Sequence, residues 1–165
     1  MVYEYNREAV LAYAEEWALS RNPEYFDFAG IGGDCTNFAS QCVYAGAPVM
    51  NYTPDVGWYF INIDNRSPSW TGASAFYNFM TTNTGEGPFA EERELSGLEL
   101  GDIIQLANEN GEYYHTLVLT GIRYTVFGRR YFVSAHTRDV YMRRLNSYNF
   151  ATLRGIHILG YRDNL

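Results

Sequence analysis

A cysteine that follows a glycine pair and an acidic residue where a helix begins is placed for nucleophilic chemistry. The run Gly32-Gly33-Asp34-Cys35-Thr36-Asn37-Phe38-Ala39-Ser40-Gln41 holds one at Cys35. Unpaired backbone N–H groups and the positive end of the helix dipole favour thiolate over thiol there. The glycine pair lets backbone or substrate approach closely. Asp34 opposes ionisation of the thiol unless its charge is engaged in capping the helix. Free cysteine is also among the most buried residue types, so a core role stays open for Cys35 and is the one expected for Cys42. The two thiols are seven positions apart, which on one helix gives ~10 Å of axial rise. A disulfide spans Cα atoms about 7 Å apart or less, so both thiols are expected to be free.

A nucleophile of this kind needs a base. His115 lies at the start of an alternating run, on one face with Leu117 and Leu119, the side expected to pack against the cysteine helix. Imidazole and thiol would then meet at the edge of the core, and the imidazole would take the thiol proton and later protonate the leaving amine. Two candidates could orient the imidazole. A wide loop over Gly121 to Arg130 places His136 opposite His115. A tight turn centred on Gly128 instead brings Asp139 opposite Leu117. His136 is preferred and Asp139 is the alternative. The Cys35 backbone N–H is one oxyanion donor. The Tyr25 hydroxyl, in the loop before the helix, is a candidate second donor, with ordinary loop packing as its other reading. His157, inside an apolar strand, reads as structural.

The elements that must position these groups follow from periodicity. Asn6 caps a helix from Arg7 to about Ser20, with Val10, Tyr13, Ala14 and Trp17 as its buried stripe, and Asn22-Pro23 ends the segment. Asp34 is placed to cap a helix running to Tyr44 or Ala45, with Gly46 as its stop. Ser69 to Met80 reads as a third helix, and Thr81 to Gly97 as a loop bordering a cleft. Strands follow at Asp102–Ala107, Glu112–Thr120, Tyr131–His136 and Leu153–Tyr161, with hairpin chemistry at Asn108-Glu109-Asn110-Gly111. Helices first and an antiparallel sheet afterwards is an α+β layout, here a single domain over residues 1–165.

Composition narrows the functions. The net charge is −7 and all 12 basic residues are arginine. An acidic chain without a basic cluster excludes a nucleic-acid binder, and the missing lysine excludes Schiff-base chemistry. The acidic balance leans toward a cationic substrate. No metal-ligand or dinucleotide motif is present, so neither metal nor cofactor is expected. No apolar run approaches the ~20 residues of a membrane span. The first residues lack a basic stretch followed by an apolar one, so no signal peptide is expected. Compartment is not fixed by the sequence, and an extracytoplasmic place stays open through excision from an exported protein.

The residues from Tyr5-Asn6-Arg7 through Ala9-Val10, Tyr13-Ala14, Trp17, Asn22-Pro23, Gly33 to Gln41, Trp58, Trp70, Gly101-Asp102, His115 and His136-Thr137 cover most of the chain. In them the chain resembles the bacterial putative amidase domain family, related to NlpC-like and CHAP-like papain-fold cysteine hydrolases. The resemblance implies a papain-like fold with the cysteine on the central helix and the histidines on the sheet. It also implies amide cleavage through a thioester acyl-enzyme, without cofactor, by a Cys35–His115–His136 set. The substrate class implied is a peptide or amide, with peptidoglycan stem peptides as the leading case. Two alternatives stand beside it: a non-catalytic peptide- or glycan-binding module built on the 17% aromatic content, and acyl transfer to an amine instead of water.

Overall fold

A computed structural model describes all of residues 1–165, an α+β arrangement with its helices first and a curled antiparallel sheet after them. The short strand β1 (Val2–Tyr3) leads into α1 (Arg7–Trp17), where the Asn6 side chain accepts from the Ala9 N–H at 3.1 Å. The cysteine helix α2 spans Cys35–Gly46. Gly46 is its last residue, at the stop expected for it. A Cβ there would sit 2.5 Å from Val10 Cγ2 and 2.7 Å from the Asn6 carbonyl, so its absence lets α1 and α2 pack closely.

A small two-stranded sheet, β2 (Phe60–Asn62) with β3 (Asn65–Arg66), precedes α3 (Pro68–Thr71) and α4 (Ala73–Thr82). The single helix expected over Ser69–Met80 is thus two, separated at Gly72, which has extended backbone. The loop expected over Thr81 to Gly97 contains a seven-residue strand, β4 (Gly87–Arg93). It was hidden because its Glu91-Glu92-Arg93 half reads as polar loop, while pairing with the last strand is a long-range contact.

The main sheet is completed by β5 (Ile103–Ala107), β6 (Tyr113–Thr125), β7 (Gly128–Ala135), β8 (Val140–Arg144) and β9 (Thr152–Arg162). β9 is its spine. One edge pairs with β4, the other with β5 and, further along, with β1. From β5 the order continues through β6 and β7 to β8. Each face has its own core. The helices cover the face carrying Ile103, Val118, Ile156 and Ile158, together with Trp58, Trp70, Phe38 and Phe76. The opposite face gathers Ile104, Leu106, Leu117, Leu119, Val133 and Ala135 with Leu98 and Leu145.

Two expectations about position change here. Leu117 and Leu119, which share a face with His115, lie in the second cluster and not beneath the cysteine helix. α2 instead meets the Thr116 and Val118 side of β6, where Thr36 Oγ1 and Thr116 Oγ1 lie 2.8 Å apart. The β6–β7 hairpin also adopts neither anticipated register. Thr125 pairs with Gly128 around a two-residue turn, and Val118 pairs with Ser134. Because side chains alternate, a shift of one residue exchanges the faces.

Candidate active site

Cys35 is the first residue of α2 and lines a cavity of about 350 Å³ together with His115. Gly32 and Gly33, with φ of +82° and +106°, form the approach, a conformation open to glycine but strained for other residues. The walls come from Tyr114, Tyr148, Ser147 and Asn149 on one side and Thr137 and Arg138 on the other, with Arg143 between. His115 sits near the start of β6, opposite Leu106 of β5. It lines the cavity opposite no carboxylate, with Tyr114 and Tyr148 as its aromatic neighbours. The next residue, Thr116, lies on the opposite face, where its hydroxyl meets that of Thr36, the residue after the cysteine.

The polar residues around Cys35 form a buried scaffold. Asp34 occupies the N-cap position, but its carboxylate makes no capping bond, contrary to expectation. Its Oδ1 accepts from the Phe28 N–H at 2.7 Å and from Asn37 Nδ2 at 2.9 Å, while Oδ2 lies 2.5 Å from His136 Nδ1. Asn37 Oδ1 accepts from Trp70 Nε1, and Ser40 Oγ accepts from Trp58 Nε1. These bonds fix the chain on both sides of Cys35. The Cys35 N–H itself has no partner, as a helix start leaves it.

His136 therefore stands elsewhere than expected. It is fully buried, stacked on Phe38 with ring centroids 4.1 Å apart, and its nitrogens face Asp34 on one side and the Trp17 carbonyl and Arg21 on the other. It anchors the residue before the cysteine and does not orient His115. Asp139, the alternative, is gripped by Arg21 through bonds of 2.7 and 3.0 Å. Tyr25 stacks on Trp70 at 6.0 Å and does not line the cavity, so its hydroxyl has packing rather than an oxyanion to serve. His157 is bound to Asp102 at 2.7 Å, in a buried group completed by Arg7. Both cysteines are free, and Cys42 is fully buried in the helix-side core.

The imidazole of His115 makes no hydrogen bond to protein, and neither of its nitrogens is sealed from solvent. Its ring meets the edge of Tyr148 at 5.7 Å. Burial, aided by the nearby Arg143 cation, pulls its pKa from 6.5 down to about 4. Burial also pushes the Cys35 thiol up, against the opposing pull of the Thr116 and Thr36 N–H groups. Desolvation thus outweighs the helix start that favoured a thiolate, and burial favours the neutral form of both the thiol and the imidazole. No three histidine, cysteine, aspartate or glutamate side chains gather as they would to hold a metal ion. No helix is long and apolar enough to cross a membrane.

Comparison with known proteins extends this picture. A family model described as a putative amidase domain matches residues 4–159. Two curated proteins of Bacillus subtilis strain 168, both named as uncharacterized, are similar. YhbB is 30% identical over 144 residues, covering 86% of this chain and 44% of that protein. YjcM is 28% identical over 124 residues, covering 70% of this chain and 28% of that protein. The chain therefore spans less than half the length of either relative. No solved structure matches.

Proposed function

Because the chain belongs to the putative amidase domain family, we propose that it hydrolyses amide bonds with the Cys35 thiol as nucleophile and the His115 imidazole as base. The observation that carries this reading is the shared cavity: a cysteine at a helix start and a histidine with both ring nitrogens unengaged line the same space.

The neutral pair suits general-base catalysis. As sulfur attacks the amide carbon, the imidazole takes its proton and the carbonyl electron pair moves onto oxygen, facing the unpartnered Cys35 N–H. Collapse of that intermediate expels the amine, which takes the proton back from the imidazolium, and leaves a thioester on Cys35. Water, deprotonated by the same imidazole, then releases the acid and restores the thiol. An amine in place of water would make the same thioester an acyl-transfer intermediate. The layout supports kinship with NlpC-like and CHAP-like papain-fold hydrolases, for which peptidoglycan stem peptides are the favoured substrates. The tyrosine walls, Tyr114 and Tyr148, support a peptide- or glycan-binding role on the same surface, which wild-type turnover separates from catalysis.

The pH dependence tests the base. His115 must be unprotonated to accept the thiol proton, and its pKa is about 4. Activity is then fully present above about pH 5 and is lost as pH falls through 4. The acid limb of kcat/KM for a fluorogenic dipeptidyl amide reports this free-enzyme group. An acid limb near 6.5, in protein shown by circular dichroism to be folded across the range, would remove His115 in this environment as the base.

A further inference from the structure

The cavity that holds Cys35 and His115 carries a charge opposite to that of the molecule. Arg138 and Arg143 line it and no aspartate or glutamate does, in a chain of net charge −7. Neither arginine is in an ion pair; those that are so engaged are Arg7, Arg21 and Arg93. Arg143 is held in place from behind. Its Nε donates to Ser147 Oγ at 2.8 Å, one terminal nitrogen donates to the Ser147 carbonyl at 3.1 Å, and the guanidinium lies 3.8 Å from the Tyr148 ring centroid. Its remaining terminal nitrogen, Nη1, makes no hydrogen bond.

Arg138 is exposed and its side chain makes no hydrogen bond. It follows Thr137 in a turn where both residues have positive φ, +65° and +57°. The acid next in sequence, Asp139, is turned away onto Arg21. On the other side, Glu109 belongs to an adjoining groove that shares Tyr114, Tyr148 and Asn149 with the cavity. Guanidinium groups recognise carboxylates through paired, charge-assisted hydrogen bonds, and a partly enclosed one without a counter-charge attracts an anion strongly.

We propose that this cavity selects substrates carrying a carboxylate close to the scissile amide, with Arg143 as the preorganised contact and Arg138 as the outer one. This rests on Cys35 being the nucleophile. The overall acidic balance, which leans toward a cationic substrate, is overruled locally. Charges farther than the ~8–10 Å Debye length are screened, so two guanidiniums at the site outweigh carboxylates spread over the surface.

Iodoacetate and iodoacetamide test this without a known substrate. They share a leaving group and nearly a size and differ by one carboxylate, so the thiolate fraction cancels in the ratio of their rates. At pH 8, with peptide mass spectrometry locating the adduct, the iodoacetate-to-iodoacetamide ratio at Cys35 should exceed that of N-acetylcysteinamide about tenfold. It should fall severalfold in Arg143→Gln, fall less in Arg138→Gln, and shrink in 0.5 M NaCl, a concentration chosen to shorten the screening length. Arg138 makes no side-chain contacts that folding requires, so its variant guards against misfolding of Arg143→Gln. A ratio at or below that of N-acetylcysteinamide, or one indifferent to both substitutions, overturns charge selection alone. Amide turnover that survives Cys35→Ala overturns the nucleophile reading, and this proposal with it.

Discussion

Replacing Cys35 with alanine is expected to lower amide turnover by about 10³-fold or more while leaving the protein folded. The magnitude follows from the role. A nucleophile that forms the covalent intermediate has no substitute in the cavity, and removing such a group from a cooperating set costs about as much as removing the set. The fold should tolerate the change because Cys35 sits at the rim, partly exposed, outside both core clusters. His115→Ala should lose roughly 10²- to 10⁴-fold, the usual contribution of a positioned proton acceptor. If Cys35 and His115 act in one step, the double variant should be little worse than Cys35→Ala alone. Additive losses would mean that the two residues act independently.

The second large effect is on stability. Asp34→Ala removes a fully buried carboxylate that holds the Phe28 N–H, Asn37 and His136 together. Leaving buried donors without their shared acceptor costs about 1–3 kcal/mol for each group left unsatisfied, and three lose it here. For a protein of this length that corresponds to a fall in Tm on the order of 10 °C. Asp139→Asn offers the contrast. Its ion pair with Arg21 is about 30% exposed on both sides. Exposed pairs contribute about 0–1 kcal/mol, so thermal denaturation should barely register the change. Equal destabilisation by the two substitutions would show that Asp34 is not the anchor of the cysteine segment.

Much of this site was legible from residue types, and the misreadings share one cause. The capping geometry at Asn6, the start of α2 at Cys35, the unbridged thiols and the hairpin at Asn108–Gly111 follow from local chemistry, which a sequence displays directly. Pairing between distant segments is not displayed. β4 was concealed because its partner β9 lies some seventy residues on and its own second half is charged. The placement of His136 failed through register: with Val118 opposite Ser134, His136 turns toward Asp34 and the α1 end instead of toward His115. The same alternation puts His115 on the face away from the cysteine helix, so it shares a cavity with Cys35 instead of packing beneath the helix. Asp34 was read as a cap because aspartate before a helix usually is one. What was missing was the buried histidine that draws one of its oxygens away. Burial, which a local sequence pattern does not display, outweighs the helix start and holds the Cys35 thiol up.

The central claim is that Cys35 is acylated with His115 taking its proton, and p-nitrophenyl acetate tests it most directly because any competent thiol nucleophile can use it. Rapid mixing should show a burst of one equivalent of nitrophenolate per protein, with the acetyl group found by mass spectrometry on Cys35 and not on Cys42. In wild type the burst rate should be level from about pH 5 to 8, since a neutral imidazole assists a neutral thiol throughout. In His115→Ala it should be slow at neutral pH and climb with alkali, tracking ionisation of the thiol. An acetyl group located elsewhere, or the same pH profile in wild type and His115→Ala, would contradict the account.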